Sequence, residues 1–182
     1  MKALVLYHSS TGNTKKVADA IQNSLINEKV ESVLASVGDA AEQELYDYDL
    51  VFLGSPSMEF LPAAPVMRFI KDKMKIHRER GDIKLCAPKI PGKTAVVFCT
   101  YSGPHTGMEE ATTAGKYMRQ FFEHLGFEVA GEWYIVGQFH GWDEGNTMGR
   151  LGDIRGRPNE GDLSKVRSDV SKLVRAILAK LA

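Results

Sequence analysis

Short apolar runs alternate with helical patterns along this chain, and that alternation limits the fold more than any other feature. KALVLY (2–7), VESVLAS (30–36), DLVFLGS (49–55), TAVVFCT (94–100) and a run within EVAGEWYIVG (128–137) read as strands. The first is apolar almost throughout, as a strand covered on both faces must be. Over 13–27, Val17, Ile21 and Leu25 recur at four-residue steps, with Ala18 and Ile26 beside them. That is an amphipathic helix. APVMRFIKDKM (64–74) is helical, and Pro65 suits a first turn. Residues 107–125 place Met118, Phe121, Phe122 and Leu125 on one face, and Gly126 is the stop. Leu163, Val166, Val170, Leu173, Val174, Ile177 and Leu181 mark a closing helix over 162–181. Strand then helix, repeated, implies right-handed parallel crossovers with helices on both faces of one sheet. The expectation is a single three-layer α/β/α domain over 1–182. Ligands in such sheets bind outside the carboxyl ends of the strands, so the segments that follow strands are the place to look.

Two stretches interrupt the repeat. Residues 76–93 form a basic connection before the fourth strand, on the edge away from a ligand. Residues 137–161 hold seven of the seventeen glycines, with Phe139, His140, Trp142 and Met148. This loop insertion follows the last strand and belongs on the ligand edge, where a segment of such length is usually functional or disordered.

Composition excludes several classes. Lys plus Arg and Asp plus Glu balance at 23 each, so no basic face for nucleic acid or a membrane surface is expected. No apolar run reaches the roughly 18 residues of a membrane span. Cys86 and Cys99 form no CxxC or metal-ligand pattern. A reducing, cytoplasmic setting is expected.

The segment YHSSTGNTKKVADAI (7–21) carries the chemistry. The first strand ends at Tyr7, the helix begins near Asn13, and the loop between them meets the helix N-terminus. Free backbone N–H groups and the positive end of the helix dipole point into such a loop. Ser9, Ser10, Thr11 and Thr14 can donate hydroxyl hydrogen bonds, and Gly12 lets the backbone curl close to a ligand. A phosphate fits this site. There is no GxxxxGK[ST] and no GxGxxG. Lys15 and Lys16 fall inside the helix, so dipoles and hydroxyls rather than a point charge would hold the anion.

VLYHSSTGNTKKVADAI (5–21) resembles the phosphate-loop signature of the flavodoxin family: Val5, Leu6 and Tyr7, then Ser9, Gly12, Thr14, Ala18 and Ile21 at the family's spacing. The strand-helix order extends the resemblance over nearly the whole chain. It implies a five-stranded parallel sheet in order 2-1-3-4-5 and a bound flavin mononucleotide (FMN), with Ser9, Ser10, Thr11, Gly12, Asn13 and Thr14 around the phosphate. GSPSMEFLPAAP (54–65) and TYSGPHTGMEE (100–110) resemble the two flavin-ring loops. Phe60 or Met58 can supply one ring face and Tyr101 the other. Backbone groups around Pro56, Ser57 and Glu59, and around Thr100, Ser102, Gly103, His105, Thr106 and Gly107, can bond the ring's polar edge. His105 can contact a ring carbonyl, donate a proton or face water; no other residue suggests direct catalysis.

Electron transfer, as in the family's shuttle proteins, is the reading adopted. Two departures bear on it. Family members often carry a glycine beside the stacking residue, where a peptide turns over as the flavin takes up one electron. SPSMEFLPAAP has none. A turn-over at Met58–Glu59 needs φ > 0 in a residue with a side chain, which costs about 1 kcal/mol. The chain is also neutral, whereas the shuttles are typically acidic and steer to basic partners. The first alternative is an NAD(P)H or quinone oxidoreductase, with loop 137–161 capping the flavin and His105, His140 and Trp142 lining a substrate pocket. The second is a non-redox binding module on the same fold. The acceptor is a redox partner protein or a small molecule. The long loop can also pack as a surface loop or an oligomer contact, a homodimer being the simplest case.

Overall fold

A computed structural model describes residues 1–181. The chain runs β1 (Lys2–Tyr7), α1 (Asn13–Asn27), β2 (Glu31–Ser36), β3 (Leu50–Met58), β4 (Leu61–Pro62), α2 (Ala64–Glu79), β5 (Thr94–Tyr101), α3 (Glu109–His124), β6 (Glu128–Val136), α4 (Asp143–Thr147) and α5 (Glu160–Leu181). The sheet order is β2-β1-β3-β5-β6, parallel throughout. This is the expected three-layer doubly wound sheet. The addition is β4, two residues that pair antiparallel with the end of β3 through Met58↔Leu61 and Ser57↔Pro62. A strand of two residues has no periodicity to read.

Alternation along the strands divides the core. Leu4, Leu6, Val51, Leu53 and Val97 pack under α2 and α3 with Val66, Phe69, Phe121 and Phe122. Ala3, Val5, Leu50, Phe52, Val96 and Phe98 pack under α1 and α5 with Val17, Ile21, Leu25, Val170 and Val174. All of β5 is buried, which explains its unbroken apolar run. Cys99, within it, is a free thiol pushed up in pKa by burial first and by the Glu132 charge second.

Helix α2 continues to Glu79, so the basic connection is shorter than 76–93. The buried side chains of its last turns explain the extension. Lys73 donates to the carbonyls of Ala41 and Gln43, and His77 Nδ1 lies 2.9 Å from the Asp82 carboxylate. The connection enters β5 at Thr94, at the amino end of the sheet. Among the described residues, no helix is long and apolar enough to cross a membrane.

Gly54 sits in β3 between Tyr7 and Phe98. A Cβ there would overlap the Phe98 ring. Gly54→Ala should therefore cost about 1–3 kcal/mol through overpacking. Urea unfolding measures it; an unchanged midpoint would mean that Phe98 relaxes freely.

Candidate cofactor site

The carboxyl ends of β1, β3, β5 and β6 deliver four chain segments to one edge of the sheet. They enclose a cleft of about 390 Å³. That falls within the roughly 300–1,000 Å³ of small-molecule sites.

The first wall is the loop after β1. Ser10 and Thr11 are exposed at it, whereas Asn13 and Thr14 are buried. Gly12 is the N-cap of α1, with φ 95°, and no side chain caps the helix. The first helical N–H groups thus lack the partner a capping Ser or Asp would give. Thr14 and Thr100 share a hydroxyl hydrogen bond of 2.8 Å at the cleft floor. Ser9 stands outside the wall: its Oγ accepts the Gly12 N–H at 3.1 Å and shapes the loop. Asn13 Nδ2 donates to the Gln138 carbonyl at 2.8 Å, tying this wall to the loop after β6. Lys15 is exposed and pairs with Asp19.

The second wall is the β3–β4 hairpin, with Pro56, Ser57, Met58, Glu59 and Phe60. Its two loop residues, Glu59 (φ 48°) and Phe60 (φ 71°), are both left-handed, the backbone of a type I′ turn. Met58 and Phe60 are more than half exposed. The positive φ judged costly from the sequence is thus already present in this hairpin.

The third wall is Thr100, Tyr101, Ser102 and Gly103, joined by Glu110 from α3. Tyr101 is buried, and its phenol is raised in pKa by burial first; the Arg157 charge opposes this and Asp162 adds to it. Gly103 has φ 51°, and a Cβ would lie 2.5 Å from the Gly107 carbonyl oxygen. His105, Thr106 and Gly107 do not line the cleft. Glu110 Oε1 accepts the N–H groups of His105 (2.8 Å) and Thr106 (2.6 Å), which leaves both side chains exposed. Nothing in the sequence marks Glu110, because its role arises only where the loop before α3 folds back onto the first turn of that helix.

The fourth wall is Gly137, Gln138, Phe139 and His140. The glycine-rich loop behind it folds around one buried amide. Asn146 Oδ1 accepts from Phe139 N at 2.7 Å, and its Nδ2 donates to Phe139 O at 3.1 Å. Trp142 packs against Phe139 with ring centroids 5.0 Å apart. Arg150 N donates to the Pro104 carbonyl at 2.8 Å, binding this loop to the third wall. Gly137 and Gln138 directly follow β6, so the strand-end rule alone could have found them. Among the described residues, the only Asp, Glu, Lys or Arg side chains lining the cleft are Glu59 and Glu110.

A doubly wound sheet with a cleft at the strand order's reversal defines a mononucleotide-type site. The flavodoxin family model matches residues 5–168, and the chain belongs to that family. It is 28% identical to an NAD(P)H dehydrogenase (quinone) of Archaeoglobus fulgidus, over 77% of this chain and 83% of that protein. It is 31% identical to a flavodoxin of Aquifex aeolicus, over 70% of this chain and 65% of that protein. A solved flavodoxin from the domain Archaea superposes with a TM-score of 0.68 at 20% identity, covering 97% of this chain and 99% of that one. Membership of that family supports FMN as the cofactor and electron transfer as its chemistry.

Asn146→Ala would strip Phe139 of both hydrogen bonds. A loss of about 1–3 kcal/mol is expected, with a change in Trp142 emission as the fourth wall loosens. Urea unfolding read by tryptophan fluorescence tests this, and wild-type stability and emission would show that the bridge holds nothing.

Proposed function

We propose that the cleft holds FMN with its phosphate at the N-terminus of α1, between Ser10, Thr11 and Thr14. The observation that carries this reading is an uncapped helix end opening onto hydroxyls in a cleft of ligand size. FMN supplies one- and two-electron redox chemistry; the protein binds it and excludes water. Met58 or Phe60 and Tyr101 provide the two apolar faces for the ring. The exposure of Met58 and Phe60 in the hairpin leaves apolar surface for a flat ligand to cover. Ser9 and Asn13 serve the site indirectly, Ser9 by shaping the loop and Asn13 by holding Gln138. His105 takes no direct part.

The physiological acceptor in this reading is a protein that docks over the cleft mouth. Met58, Phe60 and Leu61 on the β3–β4 hairpin are exposed, as is Trp142, which packs on Phe139 of the fourth wall. Large apolar side chains gathered at one rim mark a contact surface. The two unpaired cysteines suit a reducing, cytoplasmic compartment. A second reading is a quinone reductase, favoured by the Phe139–Trp142 aromatic pair at the fourth wall. A homodimer through the same apolar rim would close that mouth, so sedimentation of the FMN-loaded protein as a monomer is expected.

Thr14→Ala should weaken FMN binding by about 1–2 kcal/mol, the scale of one hydrogen bond to a charged group. Flavin fluorescence quenching gives the dissociation constant, and an unchanged value would remove Thr14 from the phosphate site. Anaerobic reduction followed by absorbance distinguishes the two functions. Two resolved one-electron steps are expected of a shuttle. A single two-electron bleach, with turnover of NAD(P)H and quinones, would establish the reductase instead.

A further inference from the structure

Helices α2 and α3 lie side by side on one face of the sheet, and an open groove of about 610 Å³ runs between them. Its floor is apolar. Ile70 and Phe121 are buried, and Met74 and Tyr117 are half-buried. Its rims are basic: Lys71 and Arg78 on α2, Lys116 and His124 on α3. Among the described residues, no carboxylate lines it, although the chain as a whole carries as many acidic as basic residues. Lys116 is neutralised by Glu132 at 2.8 Å. The ion pairs around α2 run through Lys75, His77 and Arg80 instead of Lys71 or Arg78. Those two cations are therefore open to a partner.

The spacing sets the shape of that partner. Lys71 and Arg78 are seven residues apart, two helical turns or about 10 Å along one rim. From Thr113 to His124 the opposite rim spans about 16 Å, close to three turns. A long, narrow apolar trough between two helices fits the ridge of a third helix. Two free cations are too few for a nucleic-acid backbone, which needs an extended basic field.

We propose that the α2–α3 groove docks an acidic amphipathic helix of a partner protein. Two of the helix's carboxylates, two turns apart, meet Lys71 and Arg78. Apolar side chains between them cover Met74 and Tyr117. Both helices begin directly after a cleft loop, α2 at Ala64 and α3 at Glu109. The groove occupies their later turns, Ile70 to Arg78 and Thr113 to His124, so a partner anchored here would lie along the helical face and leave the cofactor cleft open. The groove needs no flavin contact, so it stands apart from the assignment of the cleft.

The test uses the FMN-loaded full chain and two fluorescein-labelled synthetic helical peptides of about four turns. One carries Glu at two positions seven apart with Leu at the third and fourth positions between them; the other has Lys for each Glu. The Glu peptide should bind roughly tenfold tighter or better at low salt and weaken as salt rises. Amide NMR shifts should centre on Met74 and Tyr117. Lys71→Glu combined with Arg78→Glu should reverse the preference while flavin absorbance stays unchanged. Equal affinity for the two peptides, a preference that survives the double substitution, or shifts confined to the cleft mouth would each overturn the proposal.

Discussion

Parallel pairing is the constraint on which everything else depends. Each strand of β2-β1-β3-β5-β6 must return to the same end of the sheet before it can pair. The chain therefore makes its tight, polar turns at one edge and its long returns across the faces. β1 lies between β2 and β3, so the crossovers on its two sides diverge: α1 covers one face of the sheet and α2 the other. A crevice opens where they part. The loop after β1 reaches that crevice with the N-terminus of α1 behind it, and the β3–β4 hairpin and the β5 loop close it from the other side. The site is thus a consequence of topology before it is a consequence of any particular side chain.

That is why so much of it was legible. Buried strands write themselves as apolar runs, as in β1 and β5, and the covering helices write a regular stripe, as in Val17, Ile21 and Leu25. The loop proposed to hold the phosphate is also conspicuous, because its hydroxyls and Gly12 lie together in six consecutive residues. What the sequence could not show are bonds between distant segments. Asn13 looks like another loop donor, yet its amide is committed to Gln138, 125 residues away. Ser9 spends its oxygen on Gly12 N–H. His105 and Thr106 sit at the right distance after a strand, but Glu110 captures their N–H groups and turns them outward. The last turn of α2 follows the same rule, since it is extended by a buried histidine whose carboxylate partner lies beyond the helix.

The hairpin shows where a local rule yields to its surroundings. A type I′ turn favours Asn or Gly at its two central positions, and this chain has Glu59 and Phe60. Each left-handed residue costs about 1 kcal/mol, so neighbours must hold the turn in place. Ser55 does much of this: its hydroxyl accepts the Ala63 N–H at 2.9 Å and donates to the Pro56 carbonyl at 2.8 Å. Ser57 Oγ donates to the Glu110 carbonyl at 2.6 Å and ties the hairpin to α3. The strain thus resides in the resting hairpin, and a backbone rearrangement there starts from φ > 0 instead of having to reach it. The absence of glycine is consequently a weaker argument against one-electron transfer than it looked from composition.

The fourth wall separates this chain from the simplest arrangement of the fold. Asn146 replaces, with one side-chain amide, the pair of backbone hydrogen bonds that a neighbouring strand would have given Phe139. The loop behaves as a surrogate strand at the open edge beyond β6, and two of its glycines, Gly145 and Gly149, follow from that crowding. Gly145 lies under the Trp142 ring, where a Cβ would be 2.5 Å from it, and Gly149 lies against Pro104. Trp142 and Met148 remain exposed above this packed base. A loop that uses buried bonds to keep large apolar side chains in water must gain from a contact made at its outer surface. For a neutral chain, that gain comes from apolar contact rather than from long-range attraction. The same logic separates the two surfaces: the cleft mouth offers apolar area around the proposed flavin site, while the groove between α2 and α3 offers charge.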